Sequence, residues 1–104
     1  MVRALISYIC DWHSDNGNDQ RGHIRVVTPT GVIKGTWSCT GEMGDGAELV
    51  SNSTTEYSDE EANTLLNSAD LCQGDGTYDA DINTDQYGWP ELSNIVWVDP
   101  PHLD

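Results

Sequence analysis

The chain has very few basic residues, and they are confined to its first third. Among 104 residues there are four Lys and Arg in total, the last of which is Lys34. The residues after Lys34 carry fifteen carboxylates and no basic side chain apart from His102. Nucleic-acid binding depends on Lys and Arg that displace counterions from phosphates. We therefore expect no direct binding of DNA or RNA, and the net charge of −14 instead favours a cationic partner.

Long apolar segments are also absent. The longest largely apolar run, Ala4–Cys10, is far shorter than the roughly 20 residues that a membrane-spanning helix needs. The cysteines are odd in number and widely spaced, which favours buried thiols in a reducing compartment over a disulfide framework; they are Cys10, Cys39 and Cys72. We expect a protein that does not enter the membrane and lies in the cytoplasm, or in the host cytoplasm if its source is a virus.

The sequence lacks motifs that would indicate catalysis. Nucleophilic catalysis needs a base beside a Ser or Cys, and the chain has only three histidines. It has no G-x-S-x-G segment. The Gly-rich segment at residues 40–46 contains Glu42 and Asp45, which would repel a phosphate. We therefore expect no enzymatic activity and no cofactor.

Alternating apolar and polar residues predict several strands. In Val2–Cys10 one face of a strand would carry Val2, Ala4, Ile6, Tyr8 and Cys10. His23–Thr28 and Val32–Cys39 flank a turn that contains Pro and Gly, which predicts a hairpin. Further strands are expected near Ala47–Ser53 and at Asn94–Asp99. The polar segment between the first two strands, rich in Asn, Asp and Gly, is expected to be a loop.

The predicted hairpin has one simple register. It pairs Val26 with Ile33 on the buried face and Arg25 with Lys34 on the exposed face. Two like charges side by side are unfavourable, so a carboxylate or an external anion is expected near them.

One helix is predicted after these strands. Ser58 and Glu61 form a capping box with acids in the first turn, and apolar residues follow at helical spacing, which predicts a helix over about Asp59–Leu71. Together these elements predict a small α+β fold, one domain over residues 1–104, with an antiparallel sheet of four to five strands and one helix packed on a face. The chain shows no internal repeat and no family motif.

An acidic segment follows the helix at residues 74–87. Asp79, Asp81 and Asp85, with Asn83 between the last two, occupy alternate positions, so in an extended chain these side chains would line one face with about 6.6–6.8 Å between neighbours. That spacing is comparable with the spacing of phosphates along a nucleic-acid strand. Tyr78 and Tyr87 are interleaved with these acids, and aromatic residues often anchor protein interfaces.

These patterns predict a non-enzymatic inhibitor that mimics DNA or RNA. It would occupy the cationic groove of a nucleic-acid-binding protein or nuclease complex. Viral anti-CRISPR and anti-restriction factors include small acidic proteins of this kind, an analogy of charge and size alone. The expected partner-binding residues combine the acidic segment with the helix start: Asp75, Tyr78, Asp79, Asp81, Asp85, Tyr87, Asp59, Glu60 and Glu61.

The sequence leaves other functions open. An immunity protein for a basic toxin nuclease would use the same charges. A calcium-binding module is suggested by Asp81, Asn83 and Asp85, although Gln86 stands where a calcium loop needs Gly. A halophilic surface is suggested by Asp outnumbering Glu twelve to six, but acids on such surfaces are expected to be spread evenly, and here the first 40 residues are nearly neutral.

Overall fold

The computed structural model describes residues 2–42, 44–71 and 75–99. These residues form a six-stranded antiparallel sheet and one α-helix, so the predicted α+β class is confirmed while the predicted strand number is too small. The elements in chain order are β1 (Val2–His13), β2 (Gln20–Thr28), β3 (Gly31–Thr40), β4 (Gly44–Asn52), α1 (Asp59–Asn67), β5 (Gly76–Thr84) and β6 (Pro90–Asp99). Their order across the sheet is β4-β3-β2-β1-β5-β6, which makes β4 and β6 the edges.

The first four strands form an antiparallel meander. Within it the β2–β3 hairpin has the predicted register, with Val26 opposite Ile33 and Arg25 opposite Lys34. Val26 and Ile33 are fully buried, which confirms the predicted inner face. The helix then carries the chain across this face, so that β5 pairs with β1 on the side away from β2.

The predicted loop between the first two strands is much shorter in the structure. β1 continues to His13 and β2 begins at Gln20, with a β-bulge between Cys10 and Trp12. A bulge keeps two strands paired while the hydrophobic alternation is interrupted, which is why the residue pattern did not reveal this extension. β5 is the strand that the sequence did not predict. Its outward positions are acidic, and because Asp is uncommon in strands the sequence here is typical of a solvent-exposed segment.

The core lies between the inner face of the sheet and α1. Leu65 and Leu66 of the helix are fully buried, and burying such a side chain contributes about 1.5–3 kcal/mol. Gly35 on β3 permits the close approach, because a Cβ there would lie 2.5 Å from Cδ1 of Leu66. The inward-facing strand residues in the core are Ala4, Ile6, Tyr8, Ile24, Val26, Ile33, Trp37, Tyr78, Ala80, Ile82 and Leu92.

The helix begins where the sequence predicts. The Ser58 hydroxyl accepts a hydrogen bond from the Glu61 amide at 3.1 Å, and the Glu61 carboxylate accepts one from the Ser58 amide at 3.0 Å. The helix ends one turn earlier than predicted, at Asn67, with Ser68 as its C-cap. The Ser68 hydroxyl donates to the carbonyl of Leu65 at 2.6 Å, which competes with continuation of the helix.

Polar side chains at the end of the helix bind both edges of the sheet. Asn67 donates to the carbonyl of Ala47 at 2.8 Å and accepts from its amide at 2.9 Å, and Asn63 makes a similar bond to the same strand, β4. At the opposite edge, Oγ of Ser68 accepts from the amide of Leu92 on β6 at 2.8 Å. Backbone groups at sheet edges otherwise lack partners, so the helix protects parts of both edges.

The cysteines depart from their predicted state. Cys39 is disulfide-bonded, so the prediction of a buried thiol is wrong there, whereas Cys10 is a free thiol. Because disulfides are rare in reducing compartments, the cysteines no longer support the predicted cytoplasmic location. Cys72 and His102 lie outside the described residues. Within the described ranges, no helix has the length and apolar character needed to cross a membrane.

One hydroxyl in the core has no hydrogen-bond partner among the described residues. Tyr8 is fully buried, and its ring meets that of Tyr78 edge-on with centroids 5.3 Å apart. Burial raises the pKa of Tyr8 far above its usual value, and the nearby Asp70 and Tyr78 raise it further. Tyrosinate therefore forms in the unfolded chain at a lower pH than in the folded protein.

Replacing Tyr8 with Phe should increase the free energy of unfolding by about 1 kcal/mol, because it removes a buried hydroxyl that lacks a partner. The raised pKa also means that the parent loses stability as the pH rises above about 10, and the variant should lose less. Urea unfolding at pH 8 and pH 10.5 measures both effects. Tyr87→Phe is the control, since Tyr87 is 79% exposed. A loss of stability in Tyr8→Phe at pH 8 would show that the hydroxyl is bonded after all.

Candidate partner-binding surface

The carboxylates of β5 point away from the core. Asp79 and Asp81 lie on the outer face of the sheet, while Ala80 and Ile82 are buried on the inner face. The alternation predicted for this segment is therefore present up to Thr84, where the strand ends.

Asp85 does not continue this row of carboxylates. It follows the end of β5, and its Oδ1 accepts hydrogen bonds from the amides of Tyr87 and Trp89 at 2.8 and 2.9 Å. An aspartate that binds backbone amides in this way shapes a tight turn, here the β5–β6 turn. The predicted row of three carboxylates is thus reduced to Asp79 and Asp81.

Arg3 neutralises part of the negative charge that this row of carboxylates was expected to present. Its guanidinium contacts the carboxylate of Asp79, and its Nε lies 3.7 Å from Oδ1 of Asp81. Asn94 donates to Asp81 at 2.9 Å, and the Asp81 side chain is only 14% exposed. These bonds connect β1, β5 and β6. The two aspartates are therefore less accessible to an external cation than the sequence suggests.

The other residues expected in the acidic segment have different surroundings. Tyr78 is only 4% exposed and packs in the core, so it offers little surface to a partner. Tyr87 is 79% exposed in the β5–β6 turn. Asp75 is exposed, and its carboxylate accepts a hydrogen bond from the amide of Cys10.

The helix start carries a cluster of carboxylates that we call the acidic corner: Glu56, Asp59, Glu60 and Glu61. Asp59 accepts from Nδ2 of Asn52 at 3.2 Å, and Glu61 is held by the capping box. Burial raises the pKa of Tyr57, and the nearby Glu56 and Glu61 raise it further, so the fields of carboxylates from the loop and the helix overlap at this tyrosine. Glu56 is not among the residues predicted from the sequence, although its position two residues before the N-cap Ser58 is a usable signal.

The basic residues lie on a different surface from the acidic corner. Their strand positions alternate with buried residues, which puts all of them on the outer face of β1, β2 and β3: Arg3, Arg21, Arg25 and Lys34. The helix covers the inner face. Within the part of the chain that the structure describes, no Lys or Arg contacts a carboxylate of the acidic corner. The structure therefore separates the acidic corner from both the basic residues and the β5 carboxylates.

An open cleft of about 810 Å³ lies beside the extension of β1 and β2. Arg21 stacks on Trp12 with its guanidinium carbon 4.5 Å from the ring centroid, and Nδ1 of His23 contacts the carboxylate of Asp11. Sequence reasoning missed this cleft because it predicted a loop here. A catalytic His–Asp pair would also contact a nucleophile; no Ser, Thr or Cys of the described residues is hydrogen-bonded to His23.

No three His, Cys, Asp or Glu side chains are grouped so as to hold a metal ion within residues 2–42, 44–71 and 75–99. No protein-family model matches the chain, and comparisons with curated proteins and with solved structures return no match either. The function must therefore be argued from charge and geometry.

The double replacement of Asp79 and Asp81 by Asn should lower the free energy of unfolding by roughly 0.5–1.5 kcal/mol, because it breaks the contacts with Arg3 and alters the bond to Asn94. Urea unfolding measures the change. Asp15→Asn is the control, since this exposed side chain makes no hydrogen bond in the described structure. A double variant more stable than the parent would show that mutual repulsion of the two carboxylates outweighs their contacts with Arg3.

Proposed function

We propose that this protein is a non-enzymatic inhibitor that mimics nucleic acid and occupies the cationic groove of a nucleic-acid-binding protein or nuclease complex. The segregation of charge supports this most directly: within the described residues no Lys or Arg contacts the acidic corner, and all Lys and Arg lie on another face of a chain whose net charge is −14. Such a field accelerates the encounter with a cationic surface and repels nucleic acid.

The acidic corner is suited to replace phosphates. It concentrates four carboxylates within residues 56–61, and the capping box and the bond from Asn52 hold part of this segment in place. Carboxylates that are already ordered lose less conformational entropy on binding. Each charge-assisted hydrogen bond to a Lys or Arg of the partner would contribute roughly 1.5–3 kcal/mol.

The β5 carboxylates would contribute less to partner binding than the acidic corner. Asp79 and Asp81 already contact Arg3, and their contribution to binding would require that contact to be exchanged or shared. Asp59 and Glu60 need no such exchange, because both are exposed and neither has a basic partner in the described structure.

The test measures displacement of labelled DNA from a panel of restriction and CRISPR nucleases. The parent should displace DNA from at least one of them and should not shift DNA or RNA by itself. The variant Asp59→Asn/Glu60→Gln should displace the DNA only at a protein concentration at least tenfold higher than the parent needs, because two charge-assisted bonds are lost. The variant Asp15→Asn/Glu91→Gln removes the same net charge from exposed positions elsewhere. It should change the protein concentration needed for displacement less than threefold.

Each result of this experiment has a defined meaning. An equal loss of DNA displacement in both double variants would show that net charge causes the inhibition without a specific binding surface. A gel shift of nucleic acid by the protein alone at physiological salt would contradict mimicry. Thermal unfolding followed by circular dichroism verifies that the variants are folded at the assay temperature.

A further inference from the structure

The second half of β6 is an exposed apolar edge. Val96, Trp97 and Val98 are 60%, 56% and 42% exposed on a strand that, among the described residues, pairs only with β5. Natural proteins normally protect such edges with charge, Pro or a covering element. The edge of β4 is bound by two helix side chains, whereas the helix–β6 hydrogen bond in the described structure reaches only Leu92, several residues before this segment.

Trp97 is partly exposed and yet held in position. A methyl group at position 76 would lie 2.8 Å from both Cδ1 and Nε1 of Trp97, so the indole packs directly on the backbone of Gly76. Asp75 precedes Gly76 in the chain, and its carboxylate accepts a hydrogen bond from the amide of Cys10 on β1. The face of a tryptophan ring is a favourable place for a Lys or Arg side chain, and tryptophans are frequent binding hot spots.

Charge decides which occupant fits this edge. A second copy of the chain would bring another net charge of −14 to this edge, where β5 and β6 contain no Lys or Arg and the nearby Arg3 of β1 already contacts Asp79 and Asp81. An extended segment rich in Lys or Arg would complement the charge, and its backbone would pair with the free edge. We propose that the second half of β6 binds such a basic segment of the partner as a seventh strand, with Trp97 as its anchor. This inference rests on the proposed function.

The experiment uses a fluorescein-labelled synthetic peptide of nine residues in which lysine alternates with valine and threonine. Its affinity for the full chain is measured by fluorescence anisotropy. Trp97→Ala should weaken binding at least tenfold, whereas Trp12→Ala, which removes another partly exposed tryptophan, should change it less than twofold. A control peptide of equal charge with proline at alternate positions cannot pair as a strand and should bind at least tenfold more weakly.

Amide hydrogen exchange of the parent protein provides a second measurement that requires no variant. Binding of the lysine peptide should slow exchange of β6 amides between residues 94 and 99. Unchanged exchange in β6, or equal binding of the proline peptide, would overturn the inference. Protection of β6 without peptide, together with a concentration-dependent dimer, would also overturn it in favour of a second copy.

These outcomes are separable from those of the proposed function. If β6 is not protected but Asp59→Asn/Glu60→Gln abolishes DNA displacement, the edge-strand inference fails and the inhibitor proposal stands. If β6 binds the peptide but the parent displaces DNA from no nuclease, the edge binds basic strands and the inhibitor proposal fails.

Discussion

The excess of negative charge is the constraint on which the rest of this structure depends. A net charge of −14 on 104 residues repels itself, and a domain of this size has a stability of only about 5–15 kcal/mol with which to oppose it. Three features of the fold oppose this repulsion: one continuous core, hydrogen bonds from the helix and its C-cap to both sheet edges, and Arg3 between two carboxylates. The remaining carboxylates lie mainly on turns, on the helix start and on exposed strand positions, where water screens them.

Local patterns in the sequence predicted much of the fold. The β2–β3 register follows from alternation and a Pro-Gly turn, and the helix start follows from the capping box. Both depend on residues close together in the chain. The fifth strand could not be predicted in this way, because its outward Asp79 and Asp81 are compensated by Arg3 from the opposite end of the sequence. The extension of β1 depends on a bulge that interrupts the alternation.

The candidate surface was predictable to a smaller extent. The acids of the helix start were identified because their position relative to Ser58 is a local signal. The position of Asp85 in the β5–β6 turn could not be predicted, since its bonds to two backbone amides form only when the turn forms. Trp97 was missed because the sequence of the closing strand does not reveal that the strand lies at a sheet edge. Surfaces that depend on strand order require the tertiary structure.

We propose that this chain uses carboxylates that have no Lys or Arg partner in the described structure to occupy a surface evolved for nucleic acid. The most direct test immobilises the protein and exposes it to a nuclease-rich bacterial lysate at low and at high salt. The account predicts that the retained proteins are basic and bind nucleic acid, that 0.5 M NaCl releases them, and that added DNA releases them at low salt. Retention of proteins that are neither basic nor displaced by DNA would contradict it.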